Sequence, residues 1–405
     1  MLRLLRWSPL LLIPLTALGF LLPAKPDAVV IPAAFRWKNN RWLDGGEEQA
    51  VTRNGLQRVY HKLLDIDWNP ANGAHPVSTV RVPYEWRNYG GLRGNWTDKV
   101  ELVPCIYITN QTFLKISDAE VDELAHNLLR KLRMECPTTI HGVMLDCDWS
   151  ERTKNGFFRL VQIMNDSLDV PLTATIRLHQ YARPAKTGVP PADRGMLMPY
   201  NVGKVSEAGN TNSIFDLATA EPYFRTSAPY PLPLDIGLPA FSWGVQFRNG
   251  KFVGIMSDAQ VQQAMTLGML AGPTQGTMQV TSENNQHMPQ LHLGDELRME
   301  RMTPEPIMQV ARLARSAVNS DTLAVVYFEL GTGTFQAMDR AQVKAGFESF
   351  GRLRIPATPL QNEAEVEWEE VSDDSFWIEV DSAAWSITDS VIDVPRIEPK
   401  RKNRP

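Results

Sequence analysis

Eight short β-rich runs, separated by stretches of helical periodicity, follow one another along a single chain: Val29–Trp37, Val77–Trp86, Val100–Thr109, His141–Asp148, Pro171–His179, Gly195–Asn201, Leu234–Phe241 and Thr322–Leu330. Strands that alternate with helices pair in parallel through crossover connections, and eight is the number at which such a sheet closes on itself. The expectation is an α/β chain, a (β/α)8 TIM barrel. Between the runs, Val121, Leu124, Leu128, Leu129 and Leu132 recur at three- and four-residue steps, which predicts a helix over Asp118–Met134. Ser117 with Glu120 forms its capping box. Further helices are expected over Glu47–Leu64, Gly156–Leu168, Asp258–Leu270, Pro304–Val318 and Arg340–Phe350.

The 405 residues accommodate such a barrel with insertions, and 43% hydrophobic content supplies its core. The barrel is assigned to residues 28–350. Residues 1–27 read as a signal peptide or an uncleaved N-terminal anchor, because Arg3 and Arg6 precede the apolar run Pro9–Leu22 and a small or polar stretch follows. That anchor is the one membrane association expected, and an exported, periplasmic or extracellular location follows from it. Residues 351–388 form a β-rich extension, a short C-terminal β-hairpin over Val366–Val371 and Phe376–Val380, and 389–405 a loose tail. Tyr181–Arg194, Val202–Pro233 and Pro273–Thr303 are longer than ordinary connections and are expected to wall the top of a cleft.

A net charge of −5, with basic residues scattered among acids, offers no footprint for nucleic acid. Three cysteines cannot build a disulfide framework and lack the paired spacing of a structural zinc site. Gly331-Thr-Gly-Thr lacks the third glycine of a dinucleotide fingerprint, and neither a phosphate loop nor a nucleophile elbow occurs, so no cofactor is expected. No two histidines stand at ligand spacing on one element, and no metal is expected.

In a barrel of this kind the working side chains sit where strands end. Those positions hold Trp37, Glu85 with Trp86, Asp146 with Asp148 and Trp149, His179, Tyr200 with Asn201, Trp243 and Glu329. Asp146 and Asp148 are two residues apart on one strand and therefore share a face. Like charges so close raise each other's pKa, which suits proton transfer, a cation, or hydrogen bonds to sugar hydroxyls; a structural acid pair is the plainer alternative. Asp146, Asp148, Glu329 and Glu151 are the candidate catalytic groups. Trp37, Trp86, Trp149 and Trp243 match the apolar face of a pyranose ring or pack as core, and Glu85, His179, Tyr200 and Asn201 complete the candidate substrate-binding set. Glu329 could instead pair with Arg36 across the closing seam.

Gly142–Trp149 resembles the fourth-strand signature of family-18 chitinases, Asp-x-Asp-Trp-Glu after an apolar run, and Met198-Pro-Tyr200-Asn201 is similar to their sixth-strand Met-x-Tyr-Asp. The departures are informative: Ser150 stands where the family carries its proton-donating Glu, with Glu151 displaced by one, and Asn201 replaces an Asp. Over Pro32–Phe350 the chain also resembles an uncharacterised family of exported bacterial barrels, through Leu145–Asp148, Pro171–His179, Gly237–Gly254 and Tyr327–Gly331. The second resemblance implies the fold; the acids and tryptophans at strand ends point to an exported barrel acting on a polysaccharide or cell-envelope glycan, or, given Ser150, to a noncatalytic glycan-binding barrel that has kept the cleft without the acid.

Overall fold

The computed structural model describes residues 28–355 apart from 40–44, 83–99, 137–138, 208, 210–211, 226–227 and 275. Eight parallel strands close into a barrel: β1 Ala28–Arg36, β2 Arg58–Asn69, β3 Glu101–Ile108, β4 Val143–Asp146, β5 Leu172–Arg177, β6 Arg194–Met198, β7 Leu234–Pro239 and β8 Thr322–Phe328. Each pairs with the next in sequence, and β8 pairs with β1 to shut the ring. The expected (β/α)8 barrel is therefore the fold. Its interior and the helix-facing sides of its strands share one continuous apolar core, from Val30 and Phe35 to Tyr327 and Phe347.

One strand is not where the sequence suggested. The helix expected over Glu47–Leu64 spans only Gly45–Arg53, and the second barrel strand is Arg58–Asn69 instead of Val77–Trp86. Gly55, at φ +60°, stops the helix: its amide donates to the Thr52 carbonyl and that of Leu56 to the Val51 carbonyl, the double bond of a Schellman cap. Past that cap Val59, Tyr60 and Ile66 enter the sheet. Gly73–Thr79 folds back antiparallel on β2 as a hairpin arm, and Glu85 and Trp86 lie outside the described residues. The N-terminal segment and the C-terminal β-hairpin also lie outside them.

The other elements follow the pattern more closely. Ser117 caps the helix Asp118–Glu135 with the expected box, its hydroxyl accepting from the Glu120 amide. Its buried face holds Val121, Leu124, Leu128, Leu129 and Leu132. The last helix, Arg340–Glu348, lies against β8 where the Tyr327 hydroxyl donates to the Val343 carbonyl at 3.1 Å. A side chain at Gly346 would collide with that hydroxyl, so only glycine allows the approach.

Between β7 and the helix Pro304–Ala314 the chain builds a second, five-stranded sheet. Its strands are Ser242–Arg248, Lys251–Ser257, Leu270–Thr274, Thr277–Val280 and Glu296–Arg301, with the helix Asp258–Thr266 against them. The sheet has its own apolar cluster of Met256, Val261, Met269, Met278, Met288 and Leu297. Pro273–Thr303 is thus not one long loop. Glu300 joins this insertion to the barrel: its buried carboxylate accepts from the Ser213 amide at 2.8 Å, from Trp243 Nε1 at 2.8 Å and from Arg298 Nη2 at 2.6 Å.

Candidate functional site

The strand ends converge at the C-terminal mouth of the barrel, and register decides which residues meet there. Asp65 on β2 is opposite Tyr107 on β3, and Tyr107 is opposite Asp146 on β4. Residues in register across a parallel ladder point to the same side, so this row faces the barrel interior. A bulge in β2 adds Lys62 to it. Lys62 is opposite Cys105 and Asp65 opposite Tyr107, with one extra residue on β2 between them, so two residues three apart project inward together. Lys62 Nζ meets Asp65 Oδ2 at 2.5 Å and donates to Asn39 Oδ1 at 2.9 Å.

Asp146 and Asp148 are each met by a partner on β5. Thr175 Oγ1 donates to Asp146 Oδ1 at 2.8 Å, and the Arg177 guanidinium grips both oxygens of Asp148, Nε on Oδ1 and Nη2 on Oδ2. The two-residue step on β4 is therefore matched by a two-residue step on β5. Burial pushes the Asp146 carboxyl above its usual range and the neighbouring Asp148 adds to this, against the pull of Arg177 and the Thr175 hydroxyl. Burial works against the charge on Arg177 as well, but Asp148 and then Asp146 outweigh it and keep the guanidinium charged. One carboxyl of the pair is thus shifted toward neutrality by burial while the other is bound in a salt bridge.

Tyr200, just past β6, places its hydroxyl beside this group. The side chain is 4% exposed and its Oη has no hydrogen-bond partner among the described residues. Burial and the two aspartates hold the phenol protonated, so it is a donor. Asn201 follows with φ +57°, its amide donating to the Ile214 carbonyl at 2.6 Å and its Oδ1 buried without a partner among the described residues.

Four strands away in the ring of eight, Glu329 follows β8 on the opposite wall. Its Oε2 accepts from the Trp37 amide at 2.7 Å, and burial pushes its carboxyl up to about 7 against that bond and the nearby Lys38. The expected alternative for Glu329, a pair with Arg36, is not formed by it. Arg36 is buried against Glu47 of the first helix, with 3.2 Å between Nε and Oε1. Trp37 is half-buried and its ring rests on Phe35 and Phe328.

Two residues expected at the site are elsewhere. Trp149 is fully buried, stacked on Phe157, with its Nε1 donating to the Thr187 carbonyl at 3.1 Å, so it is core and no sugar reaches it. Glu151 is on the exposed turn that precedes the next helix, half-exposed and paired with Lys186 at 2.8 Å. His179 is on the short helix Leu178–Ala182, where burial lowers its pKa against the attraction of Asp148. Trp243 falls inside the insertion's first strand with its indole nitrogen committed to Glu300. Arg177, Lys62, Asp65 and Tyr107 were missed by sequence reasoning. Arg177 ends its β-run, but nothing in the sequence ties it to Asp148; Lys62 was hidden in the stretch read as helix, and Asp65 directly after it.

Among the described residues no three His, Cys, Asp or Glu side chains gather as a set of metal ligands, and no helix is long and apolar enough to cross a membrane.

No family model matches the chain, and no curated protein matches it. Solved structures resemble it at low identity. The Bacillus cereus spore cortex-lytic enzyme SleL is 12% identical over 80% of this chain and 76% of its own, with a TM-score of 0.45. A chitinase from Chromobacterium violaceum is 13% identical over 79% of this chain and 99% of its own, also at 0.45. A chitinase from Bacteroides thetaiotaomicron is 9% identical over 80% and 97%, again at 0.45. Likeness of this degree says nothing of a reaction or a substrate, which rest on the chain's own residues.

Proposed function

We propose that the chain is a glycoside-hydrolase-like barrel that acts on a glycan at the C-terminal mouth, with Asp146 and Glu329 as its proton-carrying groups. The observation that carries this reading is that two carboxyls on opposite walls of the mouth are both raised toward neutrality by burial. A general acid works best with a pKa near the operating pH, and glycoside hydrolysis needs two carboxyl groups flanking the scissile bond. Arg177 holds Asp148 beside Asp146 through two hydrogen bonds, and the unpartnered Tyr200 hydroxyl supplies a donor to a substrate oxygen. Export through the N-terminal leader belongs to the same proposal and is tested by sequencing the N-terminus of protein recovered from cell fractions.

Release of reducing ends from a panel of purified glycans by the full chain is the direct test. Asp146→Asn is expected to lower turnover by roughly 100- to 10,000-fold, with the fold intact by circular dichroism. Undiminished turnover in that variant overturns the assignment.

One observation favours a second reading, a barrel that binds glycan without cleaving it. Ser150, in the place of the chitinase-type Glu, accepts no catalytic role: its amide donates to Thr153 Oγ1 at 2.9 Å and its own hydroxyl lies 3.2 Å from that oxygen. Glycan binding with no reducing ends released at any pH selects this reading over the first.

A further inference from the structure

The segment from Arg177 to Arg183 is held more firmly than its shortness suggests. Gln180 accepts at Oε1 from the Arg177 amide at 2.7 Å and donates through Nε2 to the Trp149 carbonyl at 2.9 Å. Trp149 in turn donates to the Thr187 carbonyl at 3.1 Å, and Thr187 Oγ1 donates to the Arg183 carbonyl at 3.0 Å. Tyr181 is buried against Phe224 and Tyr230. Each end of the segment's backbone is thereby tied to the core.

The segment presents basic side chains. His179 is on the short helix, Arg177 is its N-cap and Arg183 its C-cap, and both guanidinium groups are close enough to His179 to depress its pKa. Arg177 spends Nε and Nη2 on Asp148, and its Nη1 has no protein partner among the described residues. Arg183, half-buried, has no side-chain hydrogen bond or carboxylate partner among them, and His179 has no ring hydrogen bond. Of the nearby acids, Asp148 is held by Nε and Nη2 of Arg177 and Glu151 by Lys186, so neither reaches Arg177 Nη1 or Arg183. A chain of net charge −5 therefore presents guanidinium donors without partners among the described residues at the mouth of its barrel, beside the buried Tyr200 hydroxyl. Burying arginine donors beside an open mouth is costly unless an anion completes them.

We propose that the glycan taken by this barrel is acidic, and that Arg177, His179 and Arg183 form the subsite for a carboxylate borne on a sugar ring. This rests on the reading of the mouth as a glycan site and names the class of glycan. The carboxylate accepts from Arg177 Nη1 and from the Arg183 guanidinium, while His179, kept neutral by burial, contributes a single ring N–H.

The test is calorimetric titration of the full chain with a panel of hexuronic-acid oligosaccharides and their carboxyl-reduced counterparts. An acidic oligomer is expected to bind at least about tenfold more tightly than its reduced form, as loss of one charge-assisted contact implies. The preference shrinks as salt is raised. Arg183→Gln removes most of it and Arg183→Lys restores part, with thermal midpoints unchanged. Equal affinity for the two forms, or a preference that survives Arg183→Gln, overturns the proposal. If neutral glycans are bound or cleaved without any acidic preference, the acidic subsite fails while the glycan site stands; if no glycan of either kind binds, both fail.

Discussion

The two ends of this barrel handle charge in opposite ways. At the N-terminal end a cavity of about 190 Å³ is lined by Arg58, Tyr60, His141, Arg194 and Asp235, and its arginines and carboxylates pair with one another. Arg58 meets Glu101 at 2.6 Å, Arg354 meets Glu101 at 2.8 Å, and Arg194 meets Asp235 at 2.7 Å. Glu101 is consequently held below the ordinary carboxyl range, because its two arginines outweigh the effect of burial. At the C-terminal end burial wins: Asp146 and Glu329 are pushed up, and Tyr200 and Asn201 keep polar atoms without partners among the described residues. Paired charge closes the floor and adds stability, while proton-holding carboxyls at the mouth cost stability that a working site repays in chemistry.

The contrast is broken most forcefully at Asp235. Its Oδ1 accepts from Arg194 Nη2 and from the buried Ala324 amide, each at 2.7 Å, which fastens β7 to β8. Asp235→Ala leaves the buried Ala324 amide and Arg194 Nε without their acceptor, and the expected loss is about 3–5 kcal/mol in urea unfolding, with turnover per folded molecule unchanged. A loss below about 1 kcal/mol, the scale of an exposed ion pair, would show that the floor does not depend on this pair. The next effect is at the mouth and depends on pH. Glu329 binds its proton more tightly in the folded chain, so the stability it contributes is complete below the ordinary Glu range and is lost as pH rises through about 7. Glu329 is expected to account for about 2–3 kcal/mol of the parent's loss across that window, and Glu329→Gln, which still accepts from the Trp37 amide, loses less by that amount. Parallel curves for the two proteins would remove Glu329 from the proton-carrying set.

The floor and the mouth also differed in how far the sequence disclosed them. Seven of the eight barrel strands stand out as short β-rich runs, because strands buried on both faces need continuous apolar stretches. The eighth, β2, carries His61, Lys62 and Asp65 within Val59–Ile66, and these three polar residues at mixed spacing imitate a helical face. The turn Asn54-Gly55 was the local sign that the helix ends there. Asp146 and Asp148 were legible from two-residue alternation alone. Arg177 was not, since what gives it meaning is its lateral position beside β4, and strand neighbours are a property of the closed barrel. Trp149 illustrates the opposite difficulty: its place after a strand suggested a sugar platform, but the residue next to an inward Asp148 points outward into the helix layer. The insertion was unreadable as a sheet because its strands are short and its apolar face is built largely of methionine, which has no preference for strands.

The smallest effect sharpens the comparison by its sign. Glu101 Oε2 accepts from Arg58 Nε at 2.7 Å and Oε1 from Arg354 Nη1 at 2.8 Å, with the carboxylate one-fifth exposed. Its folded pKa is depressed, so the stability it contributes is present above the ordinary Glu range and is lost as pH falls through the folded value, the reverse of Glu329. Glu101→Gln keeps one carbonyl acceptor for the arginines and removes the charge, and the expected cost is about 1 kcal/mol at neutral pH. The difference between parent and variant should therefore be constant from neutral pH down to the ordinary Glu range and close below it. Thermal midpoints across that series measure it directly. If the difference instead widens as pH rises through neutrality, the floor titrates like the mouth, and the division of the barrel into a paired end and a proton-holding end is wrong.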